Sequence, residues 1–222
     1  MSGCCGSACE APPFAGQSKR YKQVLGAVIA INLGAFAVVA TGGLLQGSAT
    51  LAANALDFLA DSATYGLTLW AIGQSAATRA GAALIKGGSL ALVALTIVGF
   101  ALWRAVTGAA PEGWVISGLG VFGIAANLVA AGLLLRYREG DANVRSVWLC
   151  TRNDVFQCIA VALTGAAVML TGSRWPDLAA GVVLAGIFLQ SAWQITTQAR
   201  QERRSLGSAA GTPARADSLV ES

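Results

Sequence analysis

Asp57 and Asp61 stand four residues apart within NALDFLADSATYGLTLWAIG, and Cys150 and Asp154 repeat that spacing within VWLCTRNDVFQCIAVALTG. Residues i and i+4 share one face of a helix, so each pair aims its side chains the same way. Both segments are apolar enough to lie in a bilayer, where a charged group at helix centre costs about 2.5–3.5 kcal/mol even on insertion scales. Three aspartates in that setting call for a compensating cation. If the two faces meet, they form a four-ligand site of three carboxylates and one soft sulfur. Oxygen ligands alone suit Mg²⁺, Ca²⁺ or Mn²⁺, whereas a thiolate moves the preference toward Zn²⁺, Cd²⁺ or Co²⁺. Four protein ligands at tetrahedral spacing is the habit of zinc. A plainer reading, in which the acids face a water-filled vestibule or cap a helix break, explains a single such residue better than three at paired helical spacing.

The neighbouring polar residues are more ambiguous. Cys158 lies two turns beyond Cys150 on the same face; it reads as a small buried hydrophobe or as a substitute ligand. Asn54, one turn before Asp57, is a possible additional ligand. It otherwise reads, with Asn32, Asn127, Gln157 and Gln190, as an interhelical hydrogen-bond partner. Arg152 interrupts the second segment beside Asn153; it either snorkels to the interface or pairs with an aspartate when no metal is bound. Cys4, Cys5 and Cys9 form a CC-x3-C cluster near the amino terminus, fit for capturing a soft metal ion or simply for staying reduced in the cytosol.

These residues need membrane helices to hold them. The chain of 222 residues is 55% hydrophobic and only 12% charged, and its mean hydropathy is +0.61. That composition excludes an ordinary soluble domain and predicts an all-α, polytopic membrane protein. A span takes about 20 apolar residues, and six stretches qualify: 24–45, 49–72, 84–106, 114–135, 147–171 and 178–197. The connections are too short for a folded domain, so one bundle of six transmembrane helices is expected over residues 23–199. Residues 1–22 are expected to form a cytoplasmic cysteine-containing tail without a secretory signal, and residues 200–222 a disordered cytoplasmic tail.

Lysine and arginine alternate between the two sides. Lys19, Arg20 and Lys22, then Arg79 and Lys86 in the second loop, Arg136, Arg138 and Arg145 in the fourth, and Arg200, Arg203, Arg204 and Arg215 in the tail fall on one side. Only Arg104, Arg174 and Arg152 fall elsewhere. The positive-inside rule then puts both termini in the cytoplasm. It also accounts for the net charge of +4 without nucleic acid.

Six spans, an acid-x3-acid pair in span two, a ligand-x3-Asp pair in span five and the WPDLAAGVVLAGIFL opening of span six together resemble the cation diffusion facilitator family. The resemblance covers about residues 20–200 and maps Asp57, Asp61, Cys150 and Asp154 onto the family's transport-site ligands. It implies a metal efflux transporter rather than an enzyme, a homodimer in the bacterial inner membrane whose partners are divalent metal ions, protons and lipid. Metal, zinc first and then cadmium or cobalt, would be cargo exchanged for protons and not a resident cofactor. A passive divalent cation channel and a non-transporting metal sensor are the rival readings. Two departures stand out. The chain has no histidine, although family members commonly carry one at the place of Cys150. It is also expected to be a short member, without the cytoplasmic metal-sensing domain that usually follows span six.

Overall fold

The computed structural model describes residues 19–71, 76–137 and 142–210. Six long helices make up the fold, and no strand occurs among the described residues: α1 Lys19–Gln46, α2 Ala49–Ala71, α3 Ala76–Thr107, α4 Gly113–Leu134, α5 Ala142–Thr171 and α6 Trp175–Ala210. A single 3-10 turn, Leu135–Tyr137, follows α4. At about 1.5 Å per residue each helix is long enough to cross a hydrocarbon core of about 30 Å. The outer surface is apolar, with Leu44, Val106 and Leu170 at least 80% exposed, as expected where lipid replaces water.

Five of the six helices are apolar enough to span a membrane by composition alone. The exception is α2, which carries Asn54, Asp57, Asp61 and Ser62. It touches each of the other five helices, so its polar face meets protein and not lipid. Elsewhere the helices associate in pairs: α1 packs chiefly with α2, α4 with α5, and α3 with α6. The main core draws Val39, Leu51, Phe58, Ile97, Val161 and Phe188 from five of these helices.

Three expected boundaries shift. α3 begins at Ala76, ahead of the span expected from 84, and Lys86, tallied with the second loop for charge although that span covers it, lies within the apolar stretch Ala83–Thr107. α5 begins at Ala142, ahead of the span expected from 147. The tail expected to be disordered from residue 200 is helical as far as Ala210. In all three cases the helix continues beyond the apolar part; composition marks the bilayer, not the helix end.

The α1–α2 turn is tight. Gly47 adopts φ +60, and the Ser48 N–H closes onto the Gly43 carbonyl at 3.2 Å, a glycine-based helix stop. Ser48 then starts α2, its hydroxyl accepting the Leu51 N–H at 3.1 Å, as an N-cap does. Two of the three arginines that depart from the charge alternation are occupied at this end of the bundle. Arg104 donates to the carbonyls of Ala109 (3.1 Å) and Gln46 (3.4 Å), and Arg174 donates to that of Gly108.

Helices α4 and α5 meet along small residues. A Cβ on Gly120 would lie 2.6 Å from the Ala162 nitrogen and 2.8 Å from its Cα. Backbone cannot rotate out of the way, and overpacking typically costs about 1–3 kcal/mol. Gly120→Ala is therefore expected to lower the melting temperature of the detergent-purified protein. An unchanged melting temperature would mean that α4 and α5 pack less closely than this.

Candidate functional site

The polar stripe of α2 and that of α5 face each other as four antiparallel rungs. At the first rung the Tyr65 hydroxyl lies 3.0 Å from the Thr151 hydroxyl. At the second, the Asp61 and Asp154 carboxyl groups stand against one another, and Tyr65 donates to Asp61 Oδ2 at 3.1 Å. At the third, Gln157 Nε2 donates to Asp57 Oδ2 at 2.7 Å. At the fourth, the Cys158 thiol donates to Asn54 Oδ1 at 3.5 Å and accepts from Asn127 Nδ2 of α4, also at 3.5 Å. The helix repeat makes this regular: residues 54, 57, 61 and 65 of α2 follow one face, as do 151, 154 and 157–158 of α5.

The deepest rung is fully enclosed. Cys158 and Asn54 are 0% exposed and Asn127 is 1% exposed. Gly123 leaves the space for the thiol, since a Cβ there would come within 2.8 Å of Sγ. Cys158 thus sits in a packed core, held from two sides by amides. Asp57, Asp61 and Asp154 are each half-buried.

Sequence reasoning named three of these cross-helix partners, Asn54, Asn127 and Gln157. Asn32 instead donates to the Val28 carbonyl of its own helix at 2.9 Å, and Gln190 is exposed on α6. Tyr65 and Thr151 went unremarked, although Tyr65 is one turn beyond Asp61 and Thr151 one turn before Asp154. Arg152 is exposed at the start of the apolar stretch Thr151–Thr171. Cys150 is on α5, one turn before Asp154, but its side chain is outside the described ones, as are residues Cys4, Cys5 and Cys9. Among the described residues no three His, Cys, Asp or Glu side chains stand together as a group that could hold one ion. Asp61 and Asp154 meet, while Asp57 is engaged by Gln157 one turn away.

Two facing carboxyl groups can bond to each other only through a shared proton. The second rung is therefore a place where a proton and a cation would compete for the same oxygens.

The opening of α6 has a different task. Asp177 is 1% exposed and reaches the start of α2. Its carboxylate accepts the Ser48 hydroxyl at 2.5 Å, the Ala49 N–H at 2.8 Å and the Thr50 N–H at 3.1 Å. The Thr50 hydroxyl returns a bond of 2.8 Å to the Asp177 carbonyl. Pro176 sits in the first turn of α6, where its missing N–H costs nothing. The Pro-Asp segment is thus a cap supplied by one helix to the N-terminus of another.

Comparison with known proteins agrees with this architecture. The chain is 26% identical to the cadmium, cobalt and zinc/H(+)-K(+) antiporter of Bacillus velezensis over 79% of its own length and 60% of that protein's length. It therefore spans about three-fifths of that relative. A family model described as the cation efflux transmembrane domain matches residues 25–202, which include all six helices almost entirely, and the chain belongs to the cation efflux family of multi-pass membrane proteins.

Proposed function

We propose that this chain exports a divalent transition metal, zinc first and cadmium or cobalt after it, in exchange for protons. Asp57, Asp61, Cys150 and Asp154 are the proposed ligands. The observation that carries the reading is the Asp61–Asp154 carboxyl pair between α2 and α5, because ligands must lose their protons to take a metal. Entry of the ion displaces the shared proton and the Cys150 proton. Reprotonation from the far side then releases the ion. The named substrates of the Bacillus relative support the choice of metals.

The charge alternation supports a cytoplasmic location for both termini. Assembly as a homodimer in the bacterial inner membrane is carried over from the family resemblance alone. A passive channel would need an open polar lining, whereas the four rungs are closed by side-chain hydrogen bonds. In everted vesicles an imposed proton gradient, acidic inside, is expected to drive zinc uptake. Uptake indifferent to collapse of that gradient would favour a passive pathway, and no uptake at all would favour a sensor.

Metal choice is tested at Cys150. Cys150→Ser is expected to lower transport of Zn²⁺ and Cd²⁺, while Cys150→His keeps zinc and loses the cadmium preference, since imidazole suits zinc and thiolate favours the softer ion. If Cys150→Ser transports as well as the parent and Cys158→Ser does not, the sulfur ligand is the other cysteine.

A further inference from the structure

A cleft of about 680 Å³ separates α2 from α3, walled by apolar residues such as Leu56, Ala60 and Ala63 on one side and Leu90 on the other. Among the described residues one charged side chain lines it, that of Lys86 on α3, and it is half-buried. Ala60, the neighbour of Asp61 on α2, lines the same cleft as Lys86, which sets the ammonium group near enough to act on the Asp61 carboxyl group. Chain geometry puts the two at one depth. Asp61 precedes the end of α2 at Ala71 by ten residues, and Lys86 follows the start of α3 at Ala76 by the same number, which is about 15 Å from the same end of the bundle.

We propose that Lys86 is a tethered counter-cation of the metal site: its ammonium group compensates Asp61 across the α2–α3 cleft when no metal is bound, and gives way when a divalent ion arrives. The inference rests on the reading of Asp61 as a metal ligand. Three aspartates in an apolar bundle need positive charge, and this lysine supplies it from within the chain. It does so from a helix packed chiefly with α6, while Asp61 belongs to a helix packed chiefly with α1. The attraction therefore crosses the cleft between two helix pairs. Loading the site with metal weakens that attraction, so occupancy is converted into a force between the pairs. A metal-free site is drawn toward α3, and a loaded one is released from it.

Two measurements test this. In metal-free, detergent-purified protein, Lys86→Gln is expected to lower the melting temperature clearly in the parent background and much less in the Asp61→Asn background, while Lys86→Arg behaves as the parent. Calorimetric titration with zinc alone is expected to show binding about tenfold tighter in Lys86→Gln, as removal of a positive charge opposing a dication demands. Equal melting losses in both backgrounds, or zinc affinity that fails to tighten, overturn the proposal. The metal-site reading is judged separately. If Asp61→Asn binds zinc as the parent does, that reading fails by itself, whatever the thermal coupling with Lys86 shows.

Discussion

Asp61→Ala and Asp154→Ala are each expected to abolish zinc uptake into everted vesicles, a loss of at least about 100-fold, with the protein still inserted and monodisperse. Altering the supporting partners of a metal ligand already costs 10–100-fold, and here the proposed ligand itself is removed. The two carboxyl groups face each other, so each substitution also leaves the surviving one without its neighbour. Asp57→Ala is expected to be as severe, because Gln157, which donates to it at 2.7 Å, cannot replace a carboxylate. Insertion survives because α2 is surrounded by protein and the change removes charge from the membrane. Uptake at the parental rate by any two of the three variants removes the proposed site.

Asp177→Ala is expected to produce little folded protein, and what is recovered should melt well below the parent. Its carboxylate accepts three bonds from Ser48, Ala49 and Thr50, all buried and all 0% exposed themselves. Hydrogen bonds to a charged group contribute about 1.5–3 kcal/mol each, and buried donors left without a partner cost about 1–3 kcal/mol each. Water cannot easily substitute, since Gly181 lets α6 approach α2 so closely that a Cβ there would stand 2.8 Å from the Ala49 Cβ. A loss of about 3 kcal/mol or more follows from these figures. Asp177→Asn, which keeps one acceptor oxygen, should fall between alanine and the parent. If alanine melts as the parent does, the carboxylate is not the cap of α2.

The six helices were legible because long apolar runs separated by short polar turns leave few alternatives in a bilayer. The facing acids were legible too, since i and i+4 are fixed by the helix repeat. What spacing does not encode is which rung meets which. Gln157 against Asp57 and Tyr65 against Thr151 depend on the relative height of α2 and α5, which is set by packing that includes the glycines of α4. The true start of α3 was hidden for a related reason: hydropathy marks the apolar stretch, whereas the hydrogen-bonded helix begins earlier, at Ala76. Asp177 stood out as part of a familiar segment, but nothing in WPD announces that its target is a helix more than a hundred residues earlier.

The low apolarity of α2 bears on how the protein is made. A ribosome delivers α2 to the membrane well before α6, yet α2 is the helix least able to partition into lipid by itself and its first turn receives its cap from α6. During synthesis the second segment therefore waits, beside α1 or at the insertion machinery, with the Ala49 and Thr50 amides still without their final acceptor. Arrival of α6 seals the start of α2. Chains cut short before α6 should consequently be recognised as unfinished and degraded, and the acids enter the membrane interior for good only when the whole bundle can close around them.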